Sequence, residues 1–209
     1  MIEMAHPESD RAADAGAHWD QQYAQNRRSA WTENGQIQRE LNRRMTGNPD
    51  SFWLDWFFTS FLDRPVRRLL SIGCGDGAHE IMIAQRGYAA YVRGFDASET
   101  GIARAREIAQ TGRMNAVFDV GYFEDFVNRK AADHPYDVVM FAGSLHHVRD
   151  LEGMLAAVRR QMTDDGVLLV SEYVGACYQI YPEHQVSLIN RVLDSINPIF
   201  KITPTAKVP

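Results

Sequence analysis

The stretch from Leu69 to Glu80 reads LLSIGCGDGAHE and places three glycines between an apolar run and a helical pattern. Gly73, Gly75 and Gly77 permit a tight turn and let backbone atoms approach a ligand closely. The helix that follows directs its first backbone N–H groups at the loop, where a negative or polar ligand group is favoured. Tight turns between strands and helices also use glycine for purely conformational reasons, so the loop alone leaves ligand binding open.

Short β-type runs alternate with helical stretches after Pro65. This alternation of apolar strands with helices predicts an α/β fold, in which a mostly parallel sheet is covered on both faces. Right-handed crossovers then make the sheet doubly wound and Rossmann-like. The expected strands cover residues 66–72, 90–95, 116–120, 137–141 and 167–172, and the expected helices cover residues 78–86, 98–111, 123–130 and 151–162.

The first 64 residues lack this alternation. Residues 1–15 are expected as a flexible tail and residues 16–64 as an N-terminal helical cap, with the Rossmann-like domain over residues 65–209. Residues 52–62 carry aromatic side chains on one helical face, which predicts an apolar stripe that packs on the main domain.

Asp96 follows the second expected strand, 19 residues after Gly77. A carboxylate at that strand end lies beside the glycine loop and can accept two hydrogen bonds from a ribose diol. An aspartate there could instead cap the next helix. The loop also satisfies the pattern G-x-G-x-x-A, so a nicotinamide or flavin dinucleotide remains a formal alternative.

Four segments in this order resemble motifs of the class I S-adenosylmethionine-dependent methyltransferases of small-molecule type. They are the glycine loop, FDAS at residues 95–98, YDVVMFAGSLHHV at residues 136–148 and MTDDGVLLV at residues 162–170. The resemblance covers residues 66–172 and implies S-adenosyl-L-methionine as the cofactor. It also implies that the preceding residues form a variable cap over the cofactor.

The resemblance carries a set of cofactor-binding residues onto this chain. Many relatives have an acidic residue where Ser71 stands here, and Glu80 could supply the missing carboxylate. Tyr122 and Phe123 follow the third strand, where an aspartate is common; two aromatics closing the core is the alternative interpretation. The full expected set is Ser71, Gly73, Cys74, Gly75, Gly77, Glu80, Asp96, Ala97, Tyr122, Phe123, Gly143 and Ser144.

Two histidines and a glutamate stand at the ends of neighbouring strands. His146 and His147 follow the fourth strand and Glu172 ends the fifth, so all three are expected at the ligand-binding edge. A hydroxyl acceptor must lose a proton during methylation; a histidine can take it while a carboxylate orients the ring. These residues are therefore the predicted catalytic set, although a histidine here can also serve packing. No third ligand with convincing spacing suggests a metal site.

Aromatic side chains before and after the predicted domain are candidates for the acceptor pocket. The loops that leave the binding edge of such a sheet often shape the acceptor pocket, although ordinary surface packing is an alternative. The candidates are Trp19, Tyr23, Trp31, Tyr173, Tyr178 and Tyr181.

Composition narrows the function classes. The chain has 22 lysines and arginines against 27 aspartates and glutamates, a net charge of −5 that disfavours bulk nucleic-acid binding. Two cysteines suit a reducing compartment, and neither a signal peptide nor a membrane-spanning segment is apparent. A cytoplasmic protein is expected, with a homodimer left open.

The leading hypothesis is methyl transfer to a small-molecule acceptor, with a hydroxyl favoured and nitrogen left open. A non-catalytic or truncated cofactor-binding partner protein is one alternative. A dinucleotide oxidoreductase is another, but no Tyr-x-x-x-Lys pair supports the short-chain type. The five expected strands end by residue 172, and few residues remain that could form further strands at the edge of the sheet. We therefore expect an incomplete or modified edge at its C-terminal side.

Overall fold

Five parallel strands form the central sheet, in the order β3-β2-β1-β4-β5. The strand order reverses at β1, and ligands bind at such a switch point in open α/β sheets. The sequence therefore predicted the fold class correctly. The strands are β1 (Val66–Ile72), β2 (Ala89–Asp96), β3 (Ala116–Val120), β4 (Tyr136–Ala142) and β5 (Met162–Ser171).

The structure is a computed structural model that describes residues 8–24, 34–174, 181–197, 202–203 and 206–207. A π-helical turn (Phe57–Phe61) continues helix α3, and a 3-10 turn (Leu145–His147) follows β4. The helices are α1 (Glu8–Ala24), α2 (Gly35–Thr46), α3 (Trp53–Trp56), α4 (Ala78–Gln85), α5 (Glu99–Thr111), α6 (Phe123–Val127), α7 (Leu151–Gln161) and α8 (Glu183–Ser195).

Apolar side chains cover both faces of the central strands. In β1, Leu69 packs toward α3 and α4, whereas Leu70 and Ile72 pack toward α6 and α7, and all three are at most 1% exposed. Successive side chains of a strand point to opposite faces, so this double burial explains the nearly continuous apolar run. It also places Ser71 on the α4 face, beside Leu69.

The N-terminal helices belong to the same compact unit as the sheet. Contacts divide the chain into residues 1–172 and residues 173–209. The division into a tail, a cap and a Rossmann-like domain stays a prediction. Helix α1 begins at Glu8, inside the predicted tail. In α3 and its π-helical turn, Leu54, Phe57 and Phe58 join the apolar core against β1 and β4, so the segment packs on the sheet. The predicted aromatic stripe is buried only in part, since Phe61 is 67% exposed.

The sheet has β5 at one edge among the described residues. In the second unit, α8 is an amphipathic helix, and two short strands, β6 (Ile202–Thr203) and β7 (Ala206–Lys207), pair with each other in antiparallel fashion. These two strands form a separate ladder from the five-stranded sheet. No helix within the described ranges combines the length and apolar character needed to cross a bilayer.

Candidate functional site

A cleft of about 860 Å³ opens at the carboxyl ends of the strands, above the switch point. The loops after four of the strands and one face of α1 line it. Of the predicted cofactor-binding residues, nine line this cleft: Gly73, Cys74, Gly75, Asp96, Ala97, Tyr122, Phe123, Gly143 and Ser144.

The glycine loop adopts a conformation that other residues rarely reach. Gly73, Gly75 and Gly77 have φ values of 72°, 58° and 72°. Close packing adds a second restriction, because a Cβ on Gly73 would lie 2.5 Å from the Cβ of Ser144. At Gly75, a Cβ would clash with the hydroxyl of Tyr23. The loop therefore needs glycine for conformation and for close approach together.

Gly143, which follows β4, differs from the other glycines. Its φ is 72°, and a Cβ built there would meet no atom within 4 Å. The position lines the cleft, so the missing side chain leaves open space next to Ser144. The strand ends on a turn that keeps room for a ligand.

Asp96 connects the glycine loop to the start of α5. Its Oδ2 accepts a hydrogen bond from the backbone N–H of Gly75 at 2.9 Å, and its Oδ1 accepts one from the N–H of Ser98 at 2.9 Å. Each carboxylate oxygen has a second lone-pair direction. The side chain can therefore hold the loop and still accept hydrogen bonds from a ligand.

Glu172 organises the turn that follows β4. Its Oε1 accepts hydrogen bonds from the backbone N–H groups of Ser144, at 2.7 Å, and Leu145. Its Oε2 lies 2.7 Å from Nδ1 of His146. The structure thus brings the predicted histidine and carboxylate into contact, but neither His146 nor Glu172 lines the cleft.

His147 is the member of the predicted catalytic set that faces the cleft. Partial burial lowers its pKa below the usual value, and the neighbouring His146 ring lowers it further. The two rings are 4.0 Å apart, and the indole of Trp19 meets His147 edge-on at 5.8 Å. His147 is therefore a mostly neutral imidazole at pH 7, ready to accept a proton.

Helix α1 closes one side of the cleft. Oδ1 of Asp20 accepts hydrogen bonds from the Ser98 hydroxyl at 2.6 Å and the Thr100 N–H at 2.9 Å. Burial alone would raise the pKa of Asp20, but these hydrogen bonds lower it overall. Arg104 adds a hydrogen bond to the carbonyl of Tyr23 at 2.8 Å. These contacts fix Trp19 and Tyr23 against the cleft.

Three predicted cofactor residues lie beneath the loop and do not line the cleft. Gly77 serves packing, since a Cβ there would come within 2.8 Å of the Phe118 ring. Ser71 and Glu80 are both buried, and the Ser71 hydroxyl partly offsets the effect of burial by lowering the pKa of Glu80. Oε2 of Glu80 has no hydrogen-bond partner. Burial raises the pKa of Glu80 to about 7, which favours the protonated carboxyl more than in an exposed glutamate.

The predicted acceptor-pocket aromatics separate into three groups. Trp19 and Tyr23 line the cleft, and their role toward an acceptor stays a prediction. Trp31 and Tyr178 lie outside the described residues. Tyr173 and Tyr181 belong to the second unit, where both are exposed, and their pocket role stays a prediction.

Several residues in or near the cleft were given no role by the sequence analysis. Asp20 does not line the cleft but anchors α1, and its only sequence signal is its position between Trp19 and Tyr23, which lie one helical turn apart. Asp76 and His79, within the glycine-loop segment, and Arg149, after β4, line the cleft. No group of three or more potential metal ligands occurs in the part of the chain that the structure describes.

The charges around the cleft favour a cationic ligand. Among its described lining residues are four carboxylates and a single guanidinium: Asp76, Asp96, Glu124, Asp150 and Arg149. A dinucleotide would bring a pyrophosphate to the glycine loop, where Asp76 would repel it. A sulfonium ligand would be attracted by the same charges.

The fold and the cleft define a Rossmann-like domain that binds a nucleoside-containing cofactor at the switch point of its sheet. The sequence profile of a methyltransferase-domain family matches residues 65–197, which is more than half of the chain. The chain belongs to this methyltransferase family.

Individual proteins are similar to this chain over only part of its length. The chain is 33% identical over 109 residues to a ubiquinone biosynthesis O-methyltransferase of Neisseria meningitidis, covering 50% of this chain and 43% of that protein. It thus spans about half the length of the curated relatives it matches.

Two solved structures show the same fold. An S-adenosylmethionine-dependent methyltransferase from Geobacter sulfurreducens, in complex with S-adenosyl-L-homocysteine, has a TM-score of 0.50 and 20% identity over 65% of this chain and 52% of that one. The [4+2]-cyclase SpnF has a TM-score of 0.56 and 18% identity, over 77% and 60% of the two chains. At these identities the likeness concerns the fold alone.

Proposed function

We propose that the chain transfers a methyl group from S-adenosyl-L-methionine to a hydroxyl group of a small-molecule acceptor. One observation carries the proposal: His147, a mostly neutral imidazole, lines the same cleft as the glycine loop and Asp96. The cleft therefore combines a place for a nucleoside cofactor with a base for the acceptor.

The residues that would hold the cofactor fit it chemically. Asp96 keeps free lone pairs for ribose hydroxyls, and Tyr122 and Phe123 offer aromatic surface for an adenine. The open space at Gly143 and the backbone of Gly73 and Gly75 suit the methionine part. The excess of carboxylates around the cleft supports a cation over a dinucleotide. The methyltransferase from Geobacter sulfurreducens, which has a similar fold, was solved in complex with S-adenosyl-L-homocysteine. That ligand agrees with S-adenosyl-L-methionine as the cofactor proposed for this chain.

When bound, the cofactor supplies an activated methyl group on a sulfonium. The chain must then align the acceptor and exclude water, which are the main contributions to such a displacement. Trp19 and Tyr23 on α1 supply aromatic surface for both tasks. An imidazole nitrogen of His147 accepts the hydroxyl proton, so that the acceptor oxygen attacks with its electron pair available.

Glu172 and His146 act in this proposal through position. Glu172 fixes the backbone of Ser144 and Leu145 and pairs with His146, whose ring lies against His147. The carboxylate thereby sets the orientation of the base without touching the acceptor.

The hydroxyl acceptor draws support from the ubiquinone biosynthesis O-methyltransferase relative, whose name states O-methylation. The net charge of −5 supports a small-molecule acceptor over nucleic acid, and the cysteine usage supports a cytoplasmic location. A homodimer is compatible with the proposal and is not required by it.

Calorimetric titration of the full chain with S-adenosyl-L-methionine, S-adenosyl-L-homocysteine and NAD tests the cofactor. We expect binding of both sulfur ligands and no binding of NAD. Binding of NAD alone would support the oxidoreductase alternative and overturn the proposal, as would binding of none of the three.

A labelled-methyl assay with a panel of phenols, alcohols and amines then tests the reaction. Transfer to hydroxyl acceptors supports the proposal, whereas transfer only to amines would overturn the O-methylation part. Cofactor binding without transfer to any acceptor would support the partner-protein alternative.

A further inference from the structure

We propose that Glu80 loses a proton when a cationic cofactor enters the cleft and regains it when the cofactor loses its positive charge. This inference rests on the proposed function and deepens it, because it assigns a coupling role to a residue that touches neither cofactor nor acceptor. Glu80 would act as a positioning residue beneath the glycine loop.

The geometry isolates one carboxyl oxygen. Glu80 lies in the first turn of α4 and is 1% exposed, and its Oε2 has no hydrogen-bond partner. The Ser71 hydroxyl provides a contact from β1. A buried carboxylate with an unpaired oxygen is costly, whereas the neutral acid is tolerated. This environment therefore favours the protonated form more than an exposed position would.

The charges near Glu80 act in the same direction. Burial makes the largest contribution to its raised pKa of about 7, and Asp76 in the loop and Asp96 after β2 raise it further. Cys74, also in the loop, has a raised pKa and stays a neutral thiol. Both of these charged neighbours are negative, so neither of them stabilises the ionised form of Glu80.

A cation in the cleft favours the ionised form of Glu80 over the protonated form. Asp76 and Asp96 line the cleft and also act on Glu80, so a positive charge placed beside them reduces the repulsion that Glu80 experiences. An opposite charge lowers the pKa of a carboxyl, and buried charges are only weakly screened. The protein then binds the cation more favourably with Glu80 ionised than with Glu80 neutral.

The charge of the ligand determines the size of the effect. S-adenosyl-L-methionine and sinefungin carry a net positive charge, whereas S-adenosyl-L-homocysteine is a neutral zwitterion. Methyl transfer converts S-adenosyl-L-methionine into S-adenosyl-L-homocysteine. Glu80 would therefore be ionised with the substrate cofactor and protonated again with the product, so a fall in pH favours release of the cofactor in its cationic form.

Proton release on binding tests the inference without measuring activity. Titrations of the full chain at pH 6.5, in two buffers with different ionisation enthalpies, give the number of protons released per ligand. We expect on the order of half a proton for S-adenosyl-L-methionine and sinefungin and much less for S-adenosyl-L-homocysteine. Between pH 7.5 and pH 6.0, the affinity for the two cations should weaken roughly fivefold.

Variants separate Glu80 from His147, the cleft histidine whose pKa is lowered mainly by burial. Glu80→Gln preserves size and the Ser71 contact but has no proton to lose, so it should abolish most of the release. His147→Gln removes the proton of the cleft histidine and should leave most of the release in place. Glu99→Gln, which alters an exposed glutamate in the first turn of α5, should behave like the wild type.

The outcomes distinguish this inference from the proposed function. Binding of S-adenosyl-L-methionine without proton release, or equal release by Glu80→Gln and the wild type, would overturn the inference alone. Failure of all three ligands to bind would overturn the proposed function. If Glu80→Gln does not fold, the infrared band of a protonated carboxyl in the wild type decides: the band should disappear with S-adenosyl-L-methionine, and its persistence would overturn the inference.

Discussion

Glu172 lies 2.7 Å from Nδ1 of His146 through Oε2, while its other oxygen accepts two backbone N–H groups of the turn after β4. Its side chain is 9% exposed, so water offers these groups little compensation. The pair links the ends of β4 and β5. It explains how the second histidine, His147, can be presented to the cleft without a carboxylate partner of its own.

Removing the Glu172 side chain should destabilise this turn. Glu172→Ala leaves two backbone N–H groups without their acceptor, and we expect a loss of about 2 to 4 kcal/mol in the free energy of unfolding. Glu172→Gln keeps an acceptor oxygen and should lose about 1 kcal/mol. Chemical denaturation measures both, with Glu152→Ala at an exposed site as the control. Equal stability of the two Glu172 variants would contradict this account.

Replacing His147 should impair methyl transfer more than cofactor binding. Loss of a general base reduces turnover by about 10²- to 10⁴-fold, so we expect His147→Gln to lower kcat in that range while the cofactor Kd changes less than about threefold. His146→Gln should have a smaller effect, because that ring does not line the cleft. Wild-type turnover by His147→Gln with a hydroxyl acceptor would exclude His147 as the base.

The pH profile of the reaction follows from the same histidine. The pKa of His147 is lowered, so the neutral base persists below the usual histidine range. We expect kcat under saturating cofactor to stay high through pH 7 and to decline on the acid side, below the usual value of 6.5. An acid limb that is unchanged in His147→Gln would assign the titration to another group.

Glu80 should make the ligand-free protein less stable as pH rises. Its folded-state pKa is raised from 4.5 to about 7, so its contribution is fully present below pH 4.5 and is lost as pH rises through 7. The shift corresponds to roughly 3 kcal/mol. Raising the pH from 5 to 8 should therefore destabilise the wild type more than it destabilises Glu80→Gln. Denaturation at both pH values checks this, and Glu99→Gln should show no such crossover.

Asp20 should hold α1 against the start of α5. Asp20→Ala removes the acceptor of two hydrogen bonds, and we expect a local loss of about 1 to 2 kcal/mol. Hydrogen exchange of residues 8–24 should become about tenfold faster, with little change in the sheet. Because the pKa of Asp20 is lowered, its contribution is present above pH 3.8 and is lost as pH falls through the folded value. Asp164→Ala, at an exposed ion pair with Arg159, should leave exchange in α1 unchanged.

The sequence predicted the parallel sheet well because the central strands β1 and β4 are largely apolar on both faces and every strand is bounded by turns or helices. The positions of the glycine loop and Asp96 were also predictable, since they depend on local conformation and on strand ends that share one edge. The N-terminal region was harder. Its helix α1 has few apolar residues in its first turns, and its position depends on hydrogen bonds that Asp20 accepts from residues about 80 positions away.

The sequence by itself determined which residues reach the carboxyl edge of the sheet, because chain order and strand alternation set the strand ends. Only the tertiary structure decided which of them face the cleft. Neighbours such as His146 and His147 differ because Glu172 engages one ring and leaves the other at the cleft. Ser71 and Glu80 lie beneath the loop because β1 and α4 pack face to face there. Side-chain direction and burial depend on packing between elements far apart in sequence, and a motif does not contain that information.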